Sequence, residues 1–184
     1  MVRVRVAIIV VGSALLAACA ARAPNYTTSP SSTQALQSAK VQPAKVGEFT
    51  ADPGAANKSI ALRASTMEAP QGSYAAYLAD AVKTELDLVK LYSATSGTEI
   101  SGVLIKNEMN TGLAVTGNGT IQAKFVVRRD GVVRYDKTKL AQIEWDSNFI
   151  GAIAIPRAQQ EYSRLVQKLV GDFFSDPDFV AALK

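Results

Sequence analysis

The sequence predicts a two-layer α+β domain: a four-stranded mixed sheet built in the order β-α-β-β-β-α, with two helices on one face. Three observations predict it. Apolar residues recur at helical spacing in two segments, one before and one after a run of strands. The strands between them alternate apolar and polar residues with a period of two. Glycine-bearing turns separate consecutive strands closely enough for antiparallel pairing.

The first strand is predicted over Ser59 to Thr66, where Ile60, Leu62 and Ala64 fall on one side. Pro70-Gln71-Gly72-Ser73 then reads as a turn whose serine caps a helix. Tyr74, Tyr77, Leu78, Ala81, Val82, Leu86 and Val89 give that helix its apolar face, and it ends near Tyr92. A second strand runs from Glu99 to Asn110, and a polar loop covers Thr111 to Asn118. Gly119 to Arg129 alternates most clearly, with Ile121, Ala123, Phe125 and Val127 facing inward. A hairpin at Asp130-Gly131 leads to a fourth strand, Val132 to Trp145.

The register of that hairpin follows from the buried face. A three-residue loop, Arg129-Asp130-Gly131, pairs Phe125 with Tyr135 and Val127 with Val133, and sets Lys124 opposite Asp136 on the outer face. A two-residue turn would set charged residues against the apolar row. Pro156 suits the first turn of the second helix, whose stripe is Ala158, Tyr162, Leu165, Val166, Leu169, Val170 and Phe173. Asp176 caps a short terminal helix carrying Phe179, Val180 and Leu183. The helix between the first two strands is long enough for a right-handed parallel crossover.

The N-terminus predicts export. Residues 1–18 hold Arg3 and Arg5, no acidic residue, and an apolar run of about 11 residues from Val6 to Leu16. That run is too short to span a bilayer, which takes about 20 apolar residues. Leu16-Ala17-Ala18-Cys19 follows: an aliphatic residue, two small residues and a cysteine. The pattern resembles the bacterial lipobox, which implies cleavage before Cys19 and acylation of its thiol. Acyl chains contribute roughly 0.8 kcal/mol per buried methylene, so several of them hold a protein firmly to one leaflet. Alanine at position 20 implies, by the same resemblance, sorting to the outer membrane rather than retention in the inner one.

Three segments follow. Residues 1–18 form the signal peptide, 19–47 the lipidated cysteine and a flexible tether, and 48–184 a single periplasmic domain. The tether is rich in Ser, Thr, Ala, Gln and Pro, with Tyr26 its only aromatic residue. As a free chain it would span about 30 Å.

Composition restricts the chemistry. The 184 residues include no histidine, the commonest general base and metal ligand, and one cysteine, which excludes an internal disulfide. Without Arg3 and Arg5, the 20 basic residues become 18 against 16 acidic ones, so the mature chain is close to neutral and no nucleic-acid partner is expected. Asp172, Asp176 and Asp178 lack the spacing of a calcium loop and suit capping and solvation. Glu144 and Asp146 read as the polar face of the fourth strand, and Gly117-Asn118-Gly119 lacks a phosphate-loop pattern. No catalytic residue, metal or cofactor is expected.

One pattern stands out. Lys137 and Lys139 share a row with Val133, Tyr135, Ala141, Ile143 and Trp145, although an unpaired buried charge is costly. One reading is a β-bulge that turns the lysines outward, or a strand that outruns the helices. The other is a groove in which Lys137 and Lys139 meet an anionic headgroup or acidic partner over a floor of Tyr135 and Trp145.

A lipobox, a linker and this order of elements resemble a group of small envelope lipoproteins: LptE-like, PqiC-like auxiliary proteins of ABC-type lipid transport, and YajG-like. The stretch from Ile155-Pro156-Arg157-Ala158 through Asp176-Pro177 and Ala181-Ala182-Leu183 is similar to that group's C-terminal helices. The resemblance implies a non-catalytic accessory or assembly factor, anchored by Cys19 to the periplasmic face of the outer membrane and bound to an envelope or lipid-transport complex. The alternatives are a carrier that binds lipid or glycolipid itself, and a structural lipoprotein contacting peptidoglycan.

Overall fold

The computed structural model describes residues 21–112 and 115–184. Leu16, Ala17, Ala18 and Cys19 lie outside the described residues. In chain order the elements are β1 (Ala21–Arg22), α1 (Pro30–Ser38), β2 (Lys45–Ala51), β3 (Ser59–Leu62), β4 (Ser65–Glu68), α2 (Tyr74–Leu88), β5 (Thr98–Asn110), β6 (Thr116–Arg129), β7 (Val132–Asp146), α3 (Gly151–Phe174) and α4 (Pro177–Ala182).

The domain is the expected two-layer α+β arrangement. Its main sheet has the order β2-β5-β6-β7, with β2 parallel to β5 and the remaining pairs antiparallel. Helix α2 packs over β2 and β5, and α3 over β6 and β7. The stripe anticipated for α3, Ala158 through Phe173, is wholly buried. Ser73 caps α2 by accepting from the Ala76 N–H at 3.1 Å. Helix α3 begins five residues before Pro156, at Gly151. Pro156 therefore lies in the second turn, inside the helix and not in its first turn as expected, and it removes one intrahelical hydrogen bond, to the Ala152 carbonyl.

The parallel strand is Lys45–Ala51, not Ser59–Thr66. The register between β2 and β5 shifts between Val46 and Phe49, so β2 does not alternate cleanly and hides from a period-two search. The 59–66 run is instead two arms of a hairpin, β3 and β4, folded at Arg63 with a left-handed φ of 55°. This hairpin and β1, which pairs parallel with β4, make a second, three-stranded sheet.

The tether also differs from expectation over residues 21–47. Ala23, Tyr26, Leu36 and Ala44 are buried, and α1 packs against α3. Tyr26 carries much of this attachment. Its ring meets Tyr77 edge-on at 6.3 Å, and its hydroxyl donates to Glu85 Oε1 at 2.5 Å. The Ser29 N–H donates to the same oxygen at 3.0 Å. Thr27 and Gln167 add a further link, with Gln167 Nε2 donating to the Thr27 carbonyl at 2.7 Å. A polar segment with few apolar residues is thus held because Ala23, Tyr26, Leu36 and Ala44 land in the core.

The β6–β7 hairpin turns in two residues, not three. Arg129 pairs with Val132, and Asp130 and Gly131 both take left-handed φ, 50° and 81°. A bulge then absorbs Arg134, because Arg128 pairs with Val133 while Val127 pairs with Tyr135. The bulge restores Tyr135 to the inner face, which the two-residue turn alone would not do. Lys124 and Asp136 do form an ion pair, at 3.0 Å, but diagonally, since Lys124 pairs with Thr138.

Aromatic rings fill the space between the layers. Phe125 stacks on Phe173 at 4.1 Å, and Phe179 of α4 reaches Phe173 at the same distance. Phe49 meets Phe125 edge-on at 6.3 Å across Gly102. A Cβ at Gly102 would fall 2.6 Å from the Phe49 ring and 3.0 Å from the Lys124 carbonyl oxygen. Gly102→Ala should therefore cost about 1–3 kcal/mol by overpacking, seen as a lower urea midpoint at unchanged slope.

Candidate functional site

The structure brings three of the four candidate residues together. Tyr135, Lys137 and Lys139 project from β7 toward the start of α4. Trp145 does not join them. It lies eight residues beyond Lys137, about 25 Å along the strand. There it is buried against Gly117, where a Cβ would fall 2.4 Å from its ring. A groove with Trp145 as its floor is therefore excluded.

The bulge does not turn the lysines outward. Lys137 pairs with Phe125 and Lys139 with Ala123, so both stay on the helix-covered face. Their charges are met by the cap of α4. Asp176 Oδ2 accepts from Lys139 at 2.6 Å, Tyr135 Oη at 3.1 Å and Lys137 at 3.3 Å. Asp176 Oδ1 accepts the Asp178 N–H at 2.9 Å, the expected capping bond. Lys137 also reaches Asp178 Oδ2 at 2.6 Å.

The electrostatics follow from this geometry. Burial opposes ionisation of Asp176, whose side chain is only 6% exposed. The hydrogen bond from Lys139, with those from the Asp178 N–H and Tyr135, outweighs burial and holds its carboxyl well below the usual carboxylate range. Burial, then the Asp176 charge, pushes the Tyr135 hydroxyl up, so it remains a donor. The Asp178 carboxylate raises Lys137, with Asp176 assisting. Two ammoniums and two carboxylates form a closed, neutral set.

That set is a clasp holding α4 on the sheet edge. A shallow groove of about 340 Å³ runs beside it, lined by Arg134, Tyr135, Asp136, Lys137, Asp178 and Ala182 among others. Arg134 makes no ion pair among the described residues and is exposed, so it is the cation this groove offers to an anion. Asp172 stands apart, facing Lys168 at 3.8 Å.

Sequence reasoning found the lysines but not their partners. The available signal was the pair of aspartates, Asp176 and Asp178, in a terminal turn whose position over β7 only the fold reveals. A second group was missed altogether. The Arg63 guanidinium donates to Thr111 Oγ1 at 2.9 Å and to the Phe149 and Asn148 carbonyls at 2.9 and 2.7 Å. It also donates to the Gly112 carbonyl. It thereby ties the β3–β4 turn to the β5–β6 and β7–α3 loops at one end of the sheet.

No family model and no curated protein matches the chain. Among solved structures, the chain is similar to protein XCC0632 from Xanthomonas campestris, of family DUF330. The TM-score is 0.55 at 13% identity, covering 83% of this chain and 93% of that one. An uncharacterized protein of known structure aligns over 83% of this chain and 98% of its own, with a TM-score of 0.45 and 5% identity. The first likeness establishes a shared fold: the chain has the architecture of a DUF330 protein.

Proposed function

We propose that this protein is a non-catalytic lipoprotein, anchored through acylated Cys19 to the periplasmic face of the outer membrane, and an accessory factor of an envelope or lipid-transport complex. The observation that carries the reading is the position of the chain's one cysteine, behind a basic leader and a short apolar run and directly ahead of the folded segment. The fold shared with a DUF330 chain supports it, in keeping with the resemblance to transport-auxiliary lipoproteins. The aromatic filling between sheet and helices favours this role over a lipid carrier. Phe125, Phe173 and Tyr162 occupy the space where a carrier would hold an acyl chain.

The test is crosslinking of the lipidated protein in its native envelope, followed by pull-down and mass spectrometry. Recovery of a transporter subunit or an outer-membrane barrel, lost on Cys19→Ser, is the expected result. Recovery of no specific protein would refute the accessory role.

A further inference from the structure

We infer that the loop end of the sheet carrying Val115, Phe149, Ile150 and Ile153 is seated in the bilayer surface that holds the Cys19 acyl chains. The inference rests on the lipoprotein reading above and adds an orientation to it. Its occupant is lipid: the headgroup and upper acyl region of the anchoring leaflet.

Exposure supplies the first argument. Four of the eight exposed large apolar residues among the described positions gather at this end: Val115 at 73%, Phe149 at 76%, Ile150 at 45% and Ile153 at 54%. Val115 ends the β5–β6 loop, Phe149 and Ile150 lie in the β7–α3 loop and Ile153 in the first turn of α3, and the Ser147 N–H joins the two loops by donating to the Val115 carbonyl at 2.6 Å. The Arg63 clamp fixes the same loops from the other side, so the apolar side chains stand on a braced platform. Exposed large apolar residues gathered at one end in this way mark an interaction surface.

The path of the chain supplies the second and names the occupant. β1 runs parallel to β4, with Ala21 beside Met67 and Arg22 beside Glu68. β4 starts at Ser65, next to the Arg63 turn. The chain therefore enters from the Arg63 end and moves away from it. The later contacts agree. Thr27 lies beside Ser163 and Gln167, midway along α3, and the Gln42 N–H donates to Leu183 at the far end. Helix α3 itself starts at the apolar end, at Gly151.

Cys19 precedes Ala21 by two residues and so lies within about 7 Å of it. Because residues 21–38 pack on the domain, no slack of about 30 Å separates the anchor from the fold. The acyl chains thus pin the entry side of the domain at the membrane surface, and the apolar loops at that end face the lipid. An apolar face of this type beds about 5–10 Å into the boundary between headgroups and acyl chains.

The experiment uses lipidated protein in vesicles of phosphatidylethanolamine and phosphatidylglycerol that contain a nitroxide-labelled lipid. Cys19 is the sequence's one cysteine, and its sulfur is consumed by the lipid. Phe149→Cys and, at the opposite end, Val132→Cys therefore each present one thiol for a fluorophore. Both positions are exposed, so neither variant disturbs the core. The expected result is several-fold stronger quenching by nitroxide lipid at position 149 than at 132. Equal, weak quenching at both, with the acyl mass present on Cys19, would overturn the orientation and leave the anchor standing. A label at 149 shielded only after envelope proteins are added would overturn it too, assigning this end to a protein. Absence of the acyl mass would overturn the anchor and the orientation together.

Discussion

Replacing Asp176 by asparagine should destabilise the fold by about 2–4 kcal/mol at neutral pH, somewhat less than breaking a wholly buried pair, because its lysines keep some water. Asparagine is as good a cap as aspartate, so the start of α4 is preserved and the loss reports the clasp alone. Asp176→Ala removes both and should cost about 1 kcal/mol more. Adding Lys139→Met alone to Asp176→Asn restores neutrality, because Lys137 keeps Asp178, and should recover most of the loss, since the stranded ammonium is gone. The pH dependence has a defined sign. A carboxyl held below its unfolded value of 3.8 stabilises the native state fully above that range. That stability disappears as the pH falls through the folded value, because the unfolded chain takes up the proton first. Urea midpoints measured from neutral pH down into the acid range should fall for the parent protein and fall less for Asp176→Asn. A variant as stable as the parent at neutral pH would show that the clasp carries no net energy.

Replacing Tyr26 by alanine should cost about 3–5 kcal/mol, the range for a buried aromatic, and should free the N-terminal arm. The ring leaves a gap beside Tyr77, and Glu85 loses a donor at a position with 0% exposure. Tyr26→Phe separates the two effects. It keeps the ring and removes only the hydrogen bond to a charged group, worth about 1.5–3 kcal/mol. Hydrogen exchange reads the arm directly. Protection of the α1 amides should be lost in Tyr26→Ala and largely retained in Tyr26→Phe. Full protection in Tyr26→Ala would place the attachment elsewhere on the arm.

The parts of the fold legible in the sequence are those where burial imposes a period. Tyr74 to Leu86, Ile121 to Val127 and Ala158 to Phe173 each bury the apolar row that the pattern marks. The parts that were not legible break a period or borrow one. The irregularity between Val46 and Phe49 hides β2, and the Arg63 turn lets two short arms pass for one strand. Residues 21–47 escape because a handful of apolar side chains, Tyr26 and Leu36 above all, are enough once a preformed core receives them. At the candidate site, the misfit of Lys137 and Lys139 with their apolar row was visible. Its resolution required Asp176 and Asp178, nearly 40 residues downstream, to be carried over β7 by the full length of α3.

In the proposed function, the folded segment hangs from a lipid on Cys19. Intact-mass and N-terminal peptide spectrometry of protein purified from bacterial membranes tests it most directly. The expected product begins at Cys19, lacks residues 1–18 and carries diacylglyceryl and further acyl mass on that residue. A chain that begins elsewhere, or that keeps a free Cys19 thiol, would contradict it.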